Sequence, residues 1–285
     1  MANQEHLALL NQSIAVWNQW RQENLYIQPD LSQANLRDRN LQGINFQGVN
    51  LTGADLCLTQ IMSANFSNTN LISAQLINAN LTYINLKGAN LSNANLISAD
   101  LKFANLMEAD FVNSNLIGTD LQSANCRFAN LSSADLGRSN LAKADLIEAN
   151  FSNANLTNAN LYKAELIGAY CYKTQFYKAN LSGAHLSGIY LLHASLKEAN
   201  LYKADLRFAN LRKVDFQRAN LREAYLRGAN LSNANLTMAD LSGAYLRGAN
   251  LNKVNLTGAL MNNINLDDAN LQEATMPNGE INYND

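Results

Sequence analysis

Only three cysteines occur in the 285 residues, Cys57, Cys126 and Cys171, and their spacing matches neither a disulfide framework nor a metal site. That usage suits a reducing, cytoplasmic setting. No apolar run approaches the ~18 residues needed to cross a bilayer, which argues against a membrane role. The first ten residues lack the basic start of a secretory signal. Charge is nearly balanced, at −2, so the chain is neither a strong polyanion nor a strong polycation. Histidine is rare as well, and His6, His185 and His193 form no ligand pattern with cysteines or carboxylates. The sequence has no G-x-x-x-x-G-K-S/T and no G-x-S-x-G. Nothing here calls for a metal or a cofactor, and the absences together point away from an enzyme.

What the sequence has instead is a period of five. From Leu31 to Met276, all fifty positions taken five apart are apolar: Leu31, Leu36, Leu41, Phe46, and on to Leu266, Leu271 and Met276. We call this position i. At i−2 sits a small residue, mostly alanine, as in Ala34, Ala54 and Ala274, and at i−1 sits Asn or Asp. A helix needs apolar residues 3.6 apart and a strand needs them 2 apart. Five residues fit one short extended side followed by a turn, with i and i−2 pointing the same way. Self-similarity at fixed period is the mark of a solenoid, in which each unit buries its face only against its neighbours. Of 14 glycines, 12 fall at i+2, where Asn also recurs. Both tolerate the positive φ of a type II turn. Asp and Asn exchange freely at i−1, which a catalytic carboxylate would not allow, and hydrogen bonding to the turn backbone explains the position better.

The A-(N/D)-L-x-x unit resembles the repeat of the pentapeptide-repeat family, and the likeness covers nearly the whole chain after residue 29. It implies an all-β solenoid, a right-handed quadrilateral β-helix with four repeats per coil, hence about 12 coils over residues 29–277. Departures at i and i−2 are few. Cys126 and Cys171 replace Leu as small apolar residues, and Ile44, Ile84, Ile189 and Val214 replace Ala and should widen the coil locally. Arg39 stands where an inward small residue belongs.

The ends differ from the repeat. In residues 4–24, Leu7, Leu10, Ile14 and Trp17 keep helical spacing, with Leu9, Val16 and Trp20 widening the stripe. Asn3 suits an N-cap, and Pro29 ends any helix. The open end of a β-helix templates aggregation unless covered. Residues 1–28 are therefore expected to form an α-helical cap, built on Leu10, Ile14, Trp17 and Trp20. The guanidinium of Arg39 should meet a Glu or the last carbonyls of the helix. A membrane-surface helix would carry basic residues on its polar face, and Arg21 is the only one here. The segment WNQWRQEN also resembles the lead-in of cyanobacterial pentapeptide-repeat proteins. Residues 278–285 read as a short polar tail. The last coil, with Leu260 beside it, should be less well covered, leaving the chain a monomer or a homodimer through that end.

With the interior filled, function must lie on the outside. Residues twenty apart should stack, so Ile77, Ile97 and Ile117 form an outward ladder behind an outward Cys57. Such a ladder either suits a sheet face or offers an apolar docking strip. Residues 161–255 hold 13 Lys or Arg against 6 Asp or Glu. Arg207, Arg227 and Arg247 share one column there, with Tyr225 and Tyr245 two residues before the second and third. The tyrosines are expected to stack on the guanidiniums. The best reading is a rigid, non-enzymatic scaffold for a protein partner whose identity the residues do not give. The resemblance also raises a DNA-mimic regulator of an enzyme such as gyrase, because some relatives protect or inhibit gyrase in that way. A basic later half disfavours it. Nucleic-acid binding through that half is the remaining alternative, and +7 spread over four sides is weak support.

Overall fold

In the computed structural model, which describes residues 1–283, contacts divide the chain into two compact units, Met1–Asn140 and Leu141–Asp285. Both are built by the same rule. The i−1 residue of each repeat pairs in parallel with the residue twenty positions on. The series runs from Asp30 with Asn50 to Asp120 with Asn140 in the first unit, and from Asp145 with Glu165 to Asn255 with Thr275 in the second. Four repeats therefore make one coil. On each side of a coil the ladder is brief: Leu201 N–H donates to Asn220 O at 2.7 Å, and Asn220 N–H donates to Ala199 O at 2.9 Å.

The turn follows at once. Ala204 N–H closes it by donating to Leu201 O at 3.0 Å. Every i+2 residue from Gln33 to Glu273 has φ between +53° and +71°, the left-handed region that glycine enters freely. Yet Lys163, Phe208 and Glu223 hold it too, at a cost of order 1 kcal/mol each. The ladder supports that strain, since the N–H of such a residue is itself bound; Lys203 N–H donates to Arg222 O at 3.0 Å. The preference for Gly and Asn is thus a backbone preference, and the ladder allows exceptions.

Asn and Asp at i−1 are interchangeable because each offers one side-chain oxygen to the N–H two residues on. Asn50 Oδ1 accepts from Thr52 N–H at 3.1 Å, and Asp100 Oδ1 accepts from Lys102 N–H at 3.1 Å. Asn adds a rung to the next coil: Asn105 Nδ2 donates to Asn85 Oδ1 at 3.0 Å.

Inside, every i residue from Leu31 to Leu256 is at most 2% exposed. Cys126 and Cys171 are among them, and burial pushes the Cys171 thiol far above its usual range. Hydroxyls at i−2 are buried without being orphaned. Thr69 donates to Phe46 O at 2.8 Å and Thr174 to Phe151 O at 2.7 Å. Cys57 departs from expectation: it is 5% exposed rather than outward-facing. Desolvation by that burial raises its thiol pKa.

The N-terminal segment forms two helices, not one: α1, Gln4–Gln12, and α2, Ile14–Glu23. Asn3 caps the first as expected, its Oδ1 accepting from Glu5 N–H at 2.8 Å. Ser13 breaks the run because it is extended, with φ −175°, and its Oγ caps the second helix through Val16 N–H at 3.1 Å. Trp17 is fully buried. It donates Nε1–H to Asn45 O at 2.8 Å and meets Phe46 edge-on at 5.3 Å between ring centres. Leu10 is buried, while Ile14 and Trp20 are half-buried. Asn18 both donates to Gly43 O at 3.1 Å and accepts from Asn45 N–H at 2.8 Å.

Two arginines correct the sequence reading. Arg39 is half-buried and reaches α1, but Nη1 donates to Asn11 Oδ1 at 2.8 Å, a side-chain amide rather than a Glu or a helix-end carbonyl. Its length lets it run out along the first coil instead of ending inside it. Arg21, read as a polar-face residue, is 7% exposed. It joins the helix to the array by donating to Ile27 O at 2.9 Å and Gln47 O at 2.8 Å.

At the other end, Ala274–Thr275 (β1) and Ile281–Asn282 (β2) form an antiparallel hairpin around Gly279, so the tail folds back on the last coil. Asn282 Nδ2 donates to Leu271 O at 3.2 Å. The hairpin buries Ala274 but leaves Met261, Leu266, Leu271 and Met276 half-buried. The last two residues of the expected polar tail, 284 and 285, lie outside the described residues. Among the described residues no helix is long and apolar enough to cross a membrane.

Candidate functional site

The arginine column lies in the second unit, on the side whose i residues are Leu166, Leu186, Leu206, Leu226 and Leu246. Its i−1 residues are Glu165, His185, Asp205, Tyr225 and Tyr245, held in register by consecutive parallel pairings. Arg207, Arg227 and Arg247 occupy i+1. Repulsion within that column is relieved by carboxylates. Asp205 takes the Arg207 guanidinium in a two-pronged contact, Nε–Oδ1 at 2.8 Å and Nη2–Oδ2 at 2.6 Å. Arg247 Nε lies 3.3 Å from Asp268 Oδ2 of the next coil. Among the described residues, no ion pair to Arg227 is seen.

Tyr225 and Tyr245 do not cover the arginines as expected. They stack on each other, ring centres 5.0 Å apart and planes within 6°. Identical flat side chains one coil apart meet face to face more readily than an i−1 ring can reach an i+1 guanidinium. Ring–cation contacts occur elsewhere in this unit, within single turns: Lys163, Lys173, Lys178 and Lys203 each hold Nζ 5.0–5.3 Å from the ring of the preceding tyrosine.

His185 has a carboxylate partner that its sequence neighbours do not show: Nδ1 lies 2.8 Å from the Glu165 carboxylate one coil away. Reading the i−1 column at intervals of twenty would have found it. Beside these residues the surface opens into a cleft of about 330 Å³, lined by His185, Lys203, Asp205, Arg207 and Tyr225. Burial pushes the Asp205 carboxyl up, but the hydrogen bonds and charge of Arg207 outweigh this and hold it below the usual carboxylate range. A depressed folded-state pKa stabilises above the unfolded value of about 3.9 and ceases to do so as pH falls through the folded value. Asp205→Asn should therefore lower Tm slightly at pH 7, with a deficit that shrinks as pH falls below about 4 and vanishes only once the folded-state carboxyl is itself protonated; paired melting curves at falling pH check it.

The isoleucine ladder is in the first unit. Ile77, Ile97 and Ile117 are half-buried, packed along their column rather than projecting. More exposed apolar groups stand nearby in sequence, such as Leu58 and the stacked pair Tyr83 and Phe103, with ring centres 5.0 Å apart.

Comparison with known proteins agrees with this construction. Eight copies of the family model "Pentapeptide repeats" match residues 30–68, 63–82, 74–111, 104–138, 134–170, 174–212, 209–248 and 249–279. Among curated proteins, none matches the chain. Among solved structures, the chain is 33% identical to HetL, a pentapeptide repeat protein involved in heterocyst differentiation regulation from the cyanobacterium Nostoc sp. strain PCC 7120. That match covers 89% of this chain and 91% of HetL, with a TM-score of 0.24. Rfr23 from the cyanobacterium Cyanothece 51142 is 28% identical over 51% of this chain and 86% of its own, with a TM-score of 0.17. A pentapeptide repeat protein of the Arabidopsis thaliana thylakoid lumen is 26% identical over 42% of this chain and 66% of its own, with a TM-score of 0.19. Proteins of this kind fold as right-handed quadrilateral β-helices and are generally structural or interaction modules. The repeat match over most of the chain, together with the identity to HetL, establishes that this chain belongs to the pentapeptide-repeat family.

Proposed function

We propose that this protein is a non-enzymatic scaffold that presents a fixed pattern of side chains to a protein partner. Residues 1–28 act as its cap, 29–277 as an array of about 12 coils, and 278–285 as a short polar tail. The observation that carries the reading is the column Arg207, Arg227 and Arg247 beside the stacked Tyr225 and Tyr245. A ladder of backbone hydrogen bonds fixes the spacing of the positions that carry these side chains, so no backbone ordering opposes docking. Arginine and tyrosine are the usual anchors of protein interfaces, and the charge of the column selects an acidic surface. Ile77, Ile97 and Ile117 offer a weaker second strip. Nucleic acid is disfavoured because the +7 of residues 161–255 is spread over four sides, and a DNA mimic because this half is basic. The three buried cysteines suit a cytoplasmic setting. The half-buried apolar face of the last coil offers a surface for a two-fold dimer, which light scattering at high concentration separates from a monomer.

The test is the triple variant Arg207→Ala, Arg227→Ala, Arg247→Ala. Its melting temperature should fall only slightly, through loss of the exposed Arg207–Asp205 pair, while a partner that co-purifies from the native cell is lost. Retention of every partner would reject the reading.

A further inference from the structure

Charge is not shared evenly among the sides of the second unit. One side has the i residues Phe151, Cys171, Leu191 and Leu211. From Asn150 to Gln272 its outward positions hold no Asp and no Glu. They do hold Lys173, Arg212 and Lys213, all exposed, and among the described residues none of the three has a carboxylate partner. Asp215, two residues beyond Lys213, is taken by Lys197 at 3.2 Å. Further along, Lys253 is met by Glu273 at 3.5 Å. The arginine column on the neighbouring side differs, because Asp205 and Asp268 already meet it. Apolar area stands beside the three free cations. Tyr170 and Tyr190, both exposed, stack one coil apart in the i−1 column with ring centres at 5.0 Å. Gly168 and Gly188, at the corner before them, bring no side chain over them. Exposed Tyr172 and half-buried Leu192 follow at i+1. Lys173 Nζ lies 5.2 Å from the Tyr172 ring centre, which leaves its charge without a counter-charge. Over three successive coils the side is thus apolar along one edge and basic along the other.

We propose that this side receives an acidic amphipathic α-helix of a protein partner, lying along the direction in which the coils stack. Charge decides the sign of the partner. A cation with no carboxylate gives up no existing pair when it meets one. Spacing decides the partner's form. A helix repeats its exposed face every turn, about 5.4 Å, close to the 5.0 Å between the stacked rings. A β-strand repeats every second residue, about 6.6 Å, and falls out of step within two coils. The apolar stripe of the helix lies over Tyr170, Tyr190 and Leu192, and glutamates on one flank lie over Lys173, Arg212 and Lys213. This goes beyond the arginine column, since it uses another side and none of the three column arginines.

The test uses the full chain and a defined probe, the capped peptide Ala-Gln-Leu-Glu-Ala-Leu-Glu-Ala-Gln-Leu-Glu-Ala-Leu-Glu-Ala. Calorimetric titration measures affinity, and circular dichroism should show more helix in the mixture than in the sum of its parts. The peptide with Gln for every Glu should bind about tenfold more weakly, and so should a shuffled peptide whose leucines surround the helix. Salt should weaken the Glu peptide and spare the Gln peptide. The double variant Arg212→Glu, Lys213→Glu should weaken binding by more than about tenfold. Both residues are exposed, and Glu198 and Glu223 already occupy the phase of Lys213, so the fold should hold. Tyr190→Ser removes apolar area and should weaken binding about tenfold; it serves if the double variant misfolds. No peptide binding, no gain of helix, or equal binding by the Gln or shuffled peptide would each overturn the proposal. So would unchanged binding by the folded double variant or by Tyr190→Ser, or tighter binding of oligothymidylate or of phosphatidylserine vesicles than of the peptide. The triple arginine variant should bind the peptide as the parent does, and loss there would also overturn it. The two readings fail separately. Peptide binding with every cellular partner retained by the triple variant removes the arginine column and keeps the helix site. Partner loss in that variant with no peptide binding by the parent does the reverse.

Discussion

Removing residues 1–25 is expected to convert a folded protein into an aggregating one. The first coil has neighbours on one side only, so its other edge carries unpaired backbone groups and uncovered Leu and Phe side chains. Such an edge recruits further strands. The helices answer both needs in one place. Trp17 covers Phe46, and its indole N–H takes up Asn45 O. Asn18 supplies a donor and an acceptor to Gly43 and Asn45, while Arg21 takes up Ile27 O and Gln47 O. Trp17→Ala isolates the apolar share of this contact. It opens a large cavity and leaves a carbonyl without its donor, for which a loss of about 3–5 kcal/mol is expected. Chemical denaturation of the point variant and light scattering of the truncated chain measure the two effects. A truncated chain that stays monodisperse with the parent's melting curve would show that the helices are not a cap.

How far these features could be read from the sequence depends on whether the backbone or the side chain decides them. The period of five shows which residues face inward because any slip in register would turn leucines into water. It also shows the turn, since left-handed φ selects Gly and Asn at a single phase. Side-chain destinations are harder to read. Arg39 and Arg21 have long, jointed side chains, and the sequence does not say which carbonyl or amide each will find across 6 to 28 residues. Cys57 stands at an outward phase and is buried nonetheless, which the spacing does not show. Ser13 looked like one more helix residue, although its hydroxyl competes for backbone and favours a cap over a helix interior. In the candidate site, stacking at intervals of twenty placed Arg207, Arg227 and Arg247 together correctly. What it missed was that tyrosines one coil apart pair with each other, and that Asp205 takes the Arg207 guanidinium.

Leu201→Asp in the second unit should be more damaging still. Leu201 is fully buried, and its N–H and the flanking carbonyls are all committed to the ladder, so the coil cannot easily turn that residue outward. Each coil contributes four such side chains to its layer. A carboxylate among them has no cation within the filled interior, and protonation would still leave a polar group without a partner. The loss should exceed about 4–5 kcal/mol, the range reserved for buried unpaired charge. Leu201→Ala, which keeps the interior apolar, should cost about 2–5 kcal/mol. The nearest-neighbour logic of a solenoid makes the damage local at first: hydrogen exchange should accelerate in the coils that hold Leu181, Leu201 and Leu221 before it spreads. A Leu201→Asp protein with parental exchange protection in those coils would mean that the i position does not face the interior. Lys213→Asp, exposed on the outer face of the same coil, is the matched control and should leave protection close to that of the parent, because the same charge there remains hydrated.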